Sequence, residues 1–103
     1  VNIADIKGAI ISADYEEEKR MVIILKELEE TRSLLIYDEQ GDFIAEIVSP
    51  QGYTFVSLKN SDGNIMVVAQ GTSDMTRDSF GRNDWNFVID FENFYVQKKS
   101  ITQ

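Results

Sequence analysis

Apolar residues along this chain fall into short runs separated by glycine, aspartate and asparagine, and only some of the runs alternate cleanly. From Ser33 to Gly71 four segments, SLLIYD, DFIAEIVS, YTFVSLK and NIMVVAQG, are rich in β-branched and aromatic residues. Glu39-Gln40-Gly41 divides the first pair, Asn60-Ser61-Asp62-Gly63 the second, and Ser49-Pro50-Gln51-Gly52 lies between the pairs. Runs of this kind broken by turn formers predict two hairpins of an antiparallel meander. YTFVSLK and NIMVVAQG have no cleanly polar side, which is the pattern of strands covered on both faces. Trp85 to Phe91 alternates most sharply, with Trp85, Phe87, Ile89 and Phe91 on one side and Asn86, Val88, Asp90 and Glu92 turned to water. The apolar parity then shifts to Phe94 and Val96, which predicts a bulge or break at Glu92-Asn93. The polar tail from Lys98 to Gln103 predicts fraying.

Ahead of the meander the period changes. Met21, Ile24, Leu25 and Leu28 fall at i, i+3, i+4 and i+7, one stripe of a helix. Asp14 followed by Glu17 resembles a capping box, with Glu16, Glu17 and Glu18 at the positive end of the helix dipole and Arg32 near its negative end. These signals predict a helix over residues 15–31. Val22 and Ile23 broaden the stripe, and Met21 to Leu25 alone also fits a strand. Ile3, Ile6 and Ile10, with Asn2 and Asp5 as a loose cap, predict a shorter helix over residues 2–12, weakened by Gly8. The expected fold is therefore α+β. One N-terminal helix, or two, packs on an antiparallel β-meander of five to six strands in a single domain spanning residues 1–103.

Composition narrows function mostly by exclusion. The chain has 103 residues, 43% of them hydrophobic, enough for one core and too many for a disordered chain. It has no histidine and no cysteine, so histidine bases, thiol nucleophiles, disulfides and His/Cys zinc sites are ruled out. Eighteen acidic residues against ten basic ones give a net charge of −8 with no basic stripe, which argues against direct nucleic-acid binding. No apolar run is long enough to cross a membrane as a helix. The first residues do not read as a basic-then-apolar leader, although the chain starts at Val1 rather than Met. We expect a cytoplasmic, non-enzymatic protein with no cofactor and no metal site.

Few constellations compete with that expectation. Asp90 and Glu92 share one solvated strand face and nothing marks a tuned partner across a cleft, as carboxylate catalysis requires. Asp62-Gly63-Asn64 and Asp38 to Asp42 group oxygen atoms but lack the calcium-loop pattern and suit hairpin turns better. There is no phosphate loop, dinucleotide fingerprint or nucleophile elbow. Residues 71–84, GTSDMTRDSFGRND, form a long polar stretch without period, the kind of loop that often carries specificity. Within it Asp74, Arg77, Asp78, Phe80 and Arg82 are the candidate partner-binding residues, joined by Glu16, Glu17 and Glu18. The arginines could grip an anion or carboxylate, or pair with the loop's own Asp74, Asp78 or Asp84. The leading expectation is an acidic protein-interaction module, such as an inhibitor, immunity or accessory protein, whose partner is another protein with a basic surface. A self-associating structural subunit is the alternative. A small-ligand domain with a pocket between the helix and Trp85, Phe87 and Tyr53 ranks third.

Overall fold

The computed structural model describes residues 6–101. Among them the chain forms eight strands: β1 (Ala9–Glu16), β2 (Met21–Leu28), β3 (Thr31–Asp38), β4 (Phe43–Val48), β5 (Tyr53–Ser61), β6 (Asn64–Gly71), β7 (Asp84–Asp90) and β8 (Tyr95–Ile101). They make two antiparallel four-stranded sheets, ordered β1-β2-β3-β4 and β5-β6-β7-β8. The only helical element described is a 3-10 turn at Asp74–Thr76. The fold is all-β, which corrects the expected α+β class and removes the N-terminal helix.

The correction turns on one segment. Met21–Leu28 pairs residue for residue with β3, from Met21 opposite Asp38 to Leu28 opposite Thr31. It is a central strand, as the strand alternative for Met21 to Leu25 anticipated. Ile23, Ile24 and Leu25 are all buried, so the apolar run is continuous because both faces of the strand are covered or crowded. The supposed capping residues fall elsewhere: Asp14 pairs with Ile23 within β1, and Glu17 opens the turn to Arg20, at φ 57, that connects β1 to β2. Glu29 and Glu30 then reverse the chain at φ 51 and 66, as a type I′ hairpin turn requires. Arg32 lies in β3, not at a helix end. Of the shorter predicted helix, Asn2, Ile3 and Asp5 lie outside the described residues, while Ile10 stands in β1, half-exposed.

The meander expectation holds strand by strand and fails at its centre. The four segments between Ser33 and Gly71 are β3 to β6, but β4 and β5 are edges of different sheets. Ser49–Gly52 is the crossing between sheets. There the Tyr53 N–H donates to Pro50 O (3.0 Å), and Gly52 takes φ 87 at the position where a type II turn needs it. The parity change after Phe91 is the break of the two alternatives, a chain reversal in which residues 91–94 turn β7 back into β8. The tail predicted to fray supplies most of β8, where Lys98, Ser100 and Ile101 pair with Phe87, Asn86 and Trp85.

The two sheets pack face to face. Ile23, Leu25, Leu34, Ile36 and Ile47 from the first meet Phe55, Ile65, Val67, Ala69, Phe87 and Ile89 from the second in one buried cluster. The thinnest dimension, 21 Å, is that of two sheets about 10 Å apart with their outer side chains. Polar seams close the edges of this sandwich. The Arg32 guanidinium donates to Glu27 Oε1 (3.1 Å) and across to Phe55 O (2.9 Å). Ser49 Oγ accepts from the Phe55 N–H (3.1 Å) while donating to Arg32 O (3.0 Å). On the far side Glu17 N–H donates to Gly63 O (3.0 Å), and Asn60 Nδ2 reaches the Asp14 carboxylate (3.3 Å). No helix of the described residues is long and apolar enough to cross a membrane.

Candidate functional site

The polar stretch between β6 and β7 is an ordered loop. Its anchor is Asn83, a residue not singled out from the sequence and only 8% exposed. The Asn83 amide donates to Gly71 O and Ser73 O (both 3.0 Å), and its Oδ1 accepts from Thr76 Oγ1 (2.6 Å) and Trp85 Nε1 (3.3 Å). Trp85 Nε1 also donates to Thr76 O (3.1 Å), and Gly71 N–H donates to Asn83 O (2.8 Å). The packing is close enough that a Cβ at Gly71 would overlap Thr76 Oγ1 and Asn83 Oδ1. A buried amide that satisfies four backbone or side-chain partners fixes where the loop leaves the sheet.

The candidate charged residues build the outer half of the loop. Asp78 folds the second turn by accepting from the Phe80 and Arg82 N–H groups (2.9 and 2.8 Å) and from Arg82 Nε (2.7 Å). Burial by itself would raise the Asp78 pKa; the Arg82 N–H and guanidinium and the Phe80 N–H outweigh it and hold the carboxyl below its ordinary value. Arg77 donates to Asp74 Oδ1 (2.8 Å) and to Gly81 O (2.7 Å). Both arginines are thus engaged by the loop's own aspartates, and their forks are not held open for an outside anion. Beside these charged groups the loop holds two large apolar side chains in water. Met75 is 96% exposed and Phe80 81% exposed, with the Arg82 guanidinium 5.3 Å from the Phe80 ring.

The three glutamates separate in role. Glu16 is 3% exposed and accepts from the Ile65 N–H (2.7 Å), so it ties the end of β1 to the start of β6. With its amide nitrogen turned toward the carboxylates, Asn64 donates to both Glu16 Oε2 and Glu18 Oε2 (3.1 Å each). Glu17 packs against Gly63, where a Cβ would stand 2.6 Å from Glu17 Oε2. Glu18 and Lys19 reach the mouth of an open groove of about 300 Å³ shared with Met66, Val88, Phe91 and Lys99. The structure does not bring these glutamates to the β6–β7 loop as one site.

The remaining constellations resolve into turns and packing. Asp38 accepts from the Gln40 and Asp42 N–H groups, and Asn60 Oδ1 from the Gly63 N–H. Asp90 accepts from the Glu92 and Asn93 N–H groups, which hold its carboxyl below the ordinary range, and it does not face Glu92 across a cleft. Tyr53, Phe87 and Trp85 pack without a helix against them. The Tyr53 and Phe87 rings meet edge-on at 5.1 Å, and Lys98 Nζ sits 4.4 Å from the Trp85 ring centre. No group of three or more carboxylates among the described residues is arranged to hold a metal ion. Compared with protein-family models, curated proteins and solved structures, the chain gives no match.

Proposed function

We propose that this chain is a small acidic, non-enzymatic protein-interaction module of the inhibitor, immunity or accessory kind, acting in the cytoplasm and docking through the β6–β7 loop. The observation that carries the reading is the pair Met75 and Phe80, two large apolar side chains held out in water on a loop that Asn83, Asp74 and Asp78 brace by hydrogen bonds. Methionine and aromatic residues are enriched where protein interfaces are most buried. A loop already ordered by Asn83 and Asp78 loses little further freedom when a partner closes over it. In this reading Asp74, Arg77, Asp78 and Arg82 position the loop and Met75 and Phe80 make contact. The net charge of −8 steers basic partners toward the surface.

A photo-crosslinking side chain at position 80, used in lysate of the source organism, tests this. We expect one predominant crosslinked protein, lost when Met75→Ser and Phe80→Ser are introduced into an immobilised chain that keeps its far-ultraviolet spectrum. The same proteins retained by both forms of the chain would refute it.

Self-association is the second reading, favoured by the edge of β4. Phe43, Ile44 and Val48 on that strand are exposed, whereas β8 carries Lys98 and Lys99, and β1 and β5 lie against each other. Sedimentation at rising concentration distinguishes it: a dimer abolished by Val48→Lys supports pairing through β4, and a constant monomer mass removes it.

A further inference from the structure

Cross-strand register sorts the first sheet into an inner and an outer face. Residues alternating with the core members Ile23, Leu25, Leu34 and Ile36 point outward, and they line up in rows across the strands. One row runs Tyr15, Val22, Tyr37, Phe43, with Tyr37 and Phe43 edge-on at 5.7 Å. The next runs Ala13, Ile24, Leu35, Glu46. The only charges in the middle of this face neutralise each other, since Lys26 Nζ lies 3.6 Å from Glu46 Oε2 and Ser33 Oγ donates to the same oxygen. Among the described residues no strand or helix lies across this face. Tyr15, Leu28, Phe43 and Val48 are exposed there.

Both ends of the face are acidic. The β1–β2 and β3–β4 turns set Glu17, Glu18, Asp38, Glu39 and Asp42 against Lys19 and Arg20, and the Tyr15 hydroxyl donates to Glu39. At the opposite end stand Glu29 and Glu30, with Glu27 already paired to Arg32 and Lys7 two residues ahead of Ala9, the β1 residue that pairs with Glu27. An apolar strip bounded by carboxylates at each end asks for an apolar surface with cations at each end. Eight-residue strands are about 26 Å long, which a helix of about 17 residues matches when it lies along them. A second copy is a poor fit, because stacking two such faces would bring the acidic turns of two chains of net charge −8 together.

We infer that the outer face of the first sheet is a docking surface for a basic amphipathic helix of a partner protein that lies along β2 and β3, with its apolar stripe on Val22, Ile24, Leu35 and Tyr37 and its Lys/Arg residues at the two acidic ends. This surface is distinct from the β6–β7 loop and does not depend on it.

The probe is a synthetic helical peptide of about 17 residues with leucines at i, i+3, i+4 and i+7 and lysines in its first and last turns. It is titrated into the isotope-labelled chain and compared with a peptide of identical leucines and glutamates in place of the lysines. We expect amide shifts concentrated on β1 to β4 and affinity for the lysine peptide about tenfold or more above the glutamate peptide. Phe43→Ser, which removes the exposed ring packed edge-on against Tyr37, should weaken binding by about tenfold. Met75→Ser with Phe80→Ser should leave peptide binding unchanged. Equal affinity for the two peptides, shifts centred on residues 72–83, no binding at millimolar peptide, or a chain dimer built on this face would each overturn the inference.

Discussion

The two sheets are built on the same plan and treat water differently. In the second, the rows on the outer face are polar or mix polar with apolar residues: Lys59, Met66, Val88, Gln97 in one, Ser57, Val68, Asn86, Ser100 in another, Thr54, Gln70, Asp84 in a third. In the first, the Tyr15, Val22, Tyr37, Phe43 row has no charged residue at all. The second sheet carries a long loop at one end; the first, among the described residues, has only short turns. On the outer face of that first sheet Lys26, Ser33 and Glu46 hold one another, and Tyr15, Leu28, Phe43 and Val48 are left in contact with water.

The largest expected effect separates inner from outer apolar residues of similar size. Phe55→Ala, at the fully buried centre of the sandwich, should cost about 3–5 kcal/mol in urea unfolding. Phe43→Ala, 57% exposed on the outer row, should cost under about 1 kcal/mol. Comparable losses would mean that the outer row is part of the core, and the contrast between the sheets would collapse. A middle-sized effect belongs to the loop. Asn83→Ala strips the amide from Gly71 O and Ser73 O and should destabilise by about 1–3 kcal/mol, with faster hydrogen exchange at residues 72–83 and unchanged protection in β1 to β3. Uniform loss of protection would show that the loop and both sheets open as one unit.

The smallest effect is acid sensitivity. Asp90, in the β7–β8 turn, and Asp78, in the loop, both have folded pKa values below their ordinary 3.8. A depressed carboxyl contributes stability that is fully present above its unfolded pKa and lost as pH falls through the folded one. The melting temperature should therefore fall more steeply below about pH 4 in the parent protein than in Asp90→Asn. Identical slopes would mean that the Glu92 and Asn93 N–H groups do not tune Asp90.

The same difference between the sheets decided what could be read from the residues. Trp85 to Phe91 alternates because one side of β7 meets the core, so its strand was legible. Met21 to Leu25 does not alternate, because Ile23 and Leu25 enter the core while Val22 and Ile24 pack on the outer face. A run apolar on both parities also satisfies helical spacing, and the cap-like Asp14 and Glu17 strengthened the wrong period. Nothing in Glu29-Glu30 announces a type I′ turn, which Asn-Gly or Asp-Gly would have done. In the loop, the arginine–aspartate pairing was foreseeable from spacing alone. Asn83 was not, since one asparagine in a polar stretch carries no sign of burial until Trp85 and Thr76 close around it.

Strand order within each sheet follows chain order, and that has a consequence for the protein's birth. The first sheet can pair completely once Val48 has left the ribosome, while its entire inner face still waits for β5 to β8. At about 5–20 residues per second the interval lasts several seconds. During it a nascent chain displays apolar side chains on both surfaces of a four-stranded sheet, one surface to be covered by its own later half. Early capture of the other by a helical partner or a chaperone would halve the sticky area at the moment it is greatest.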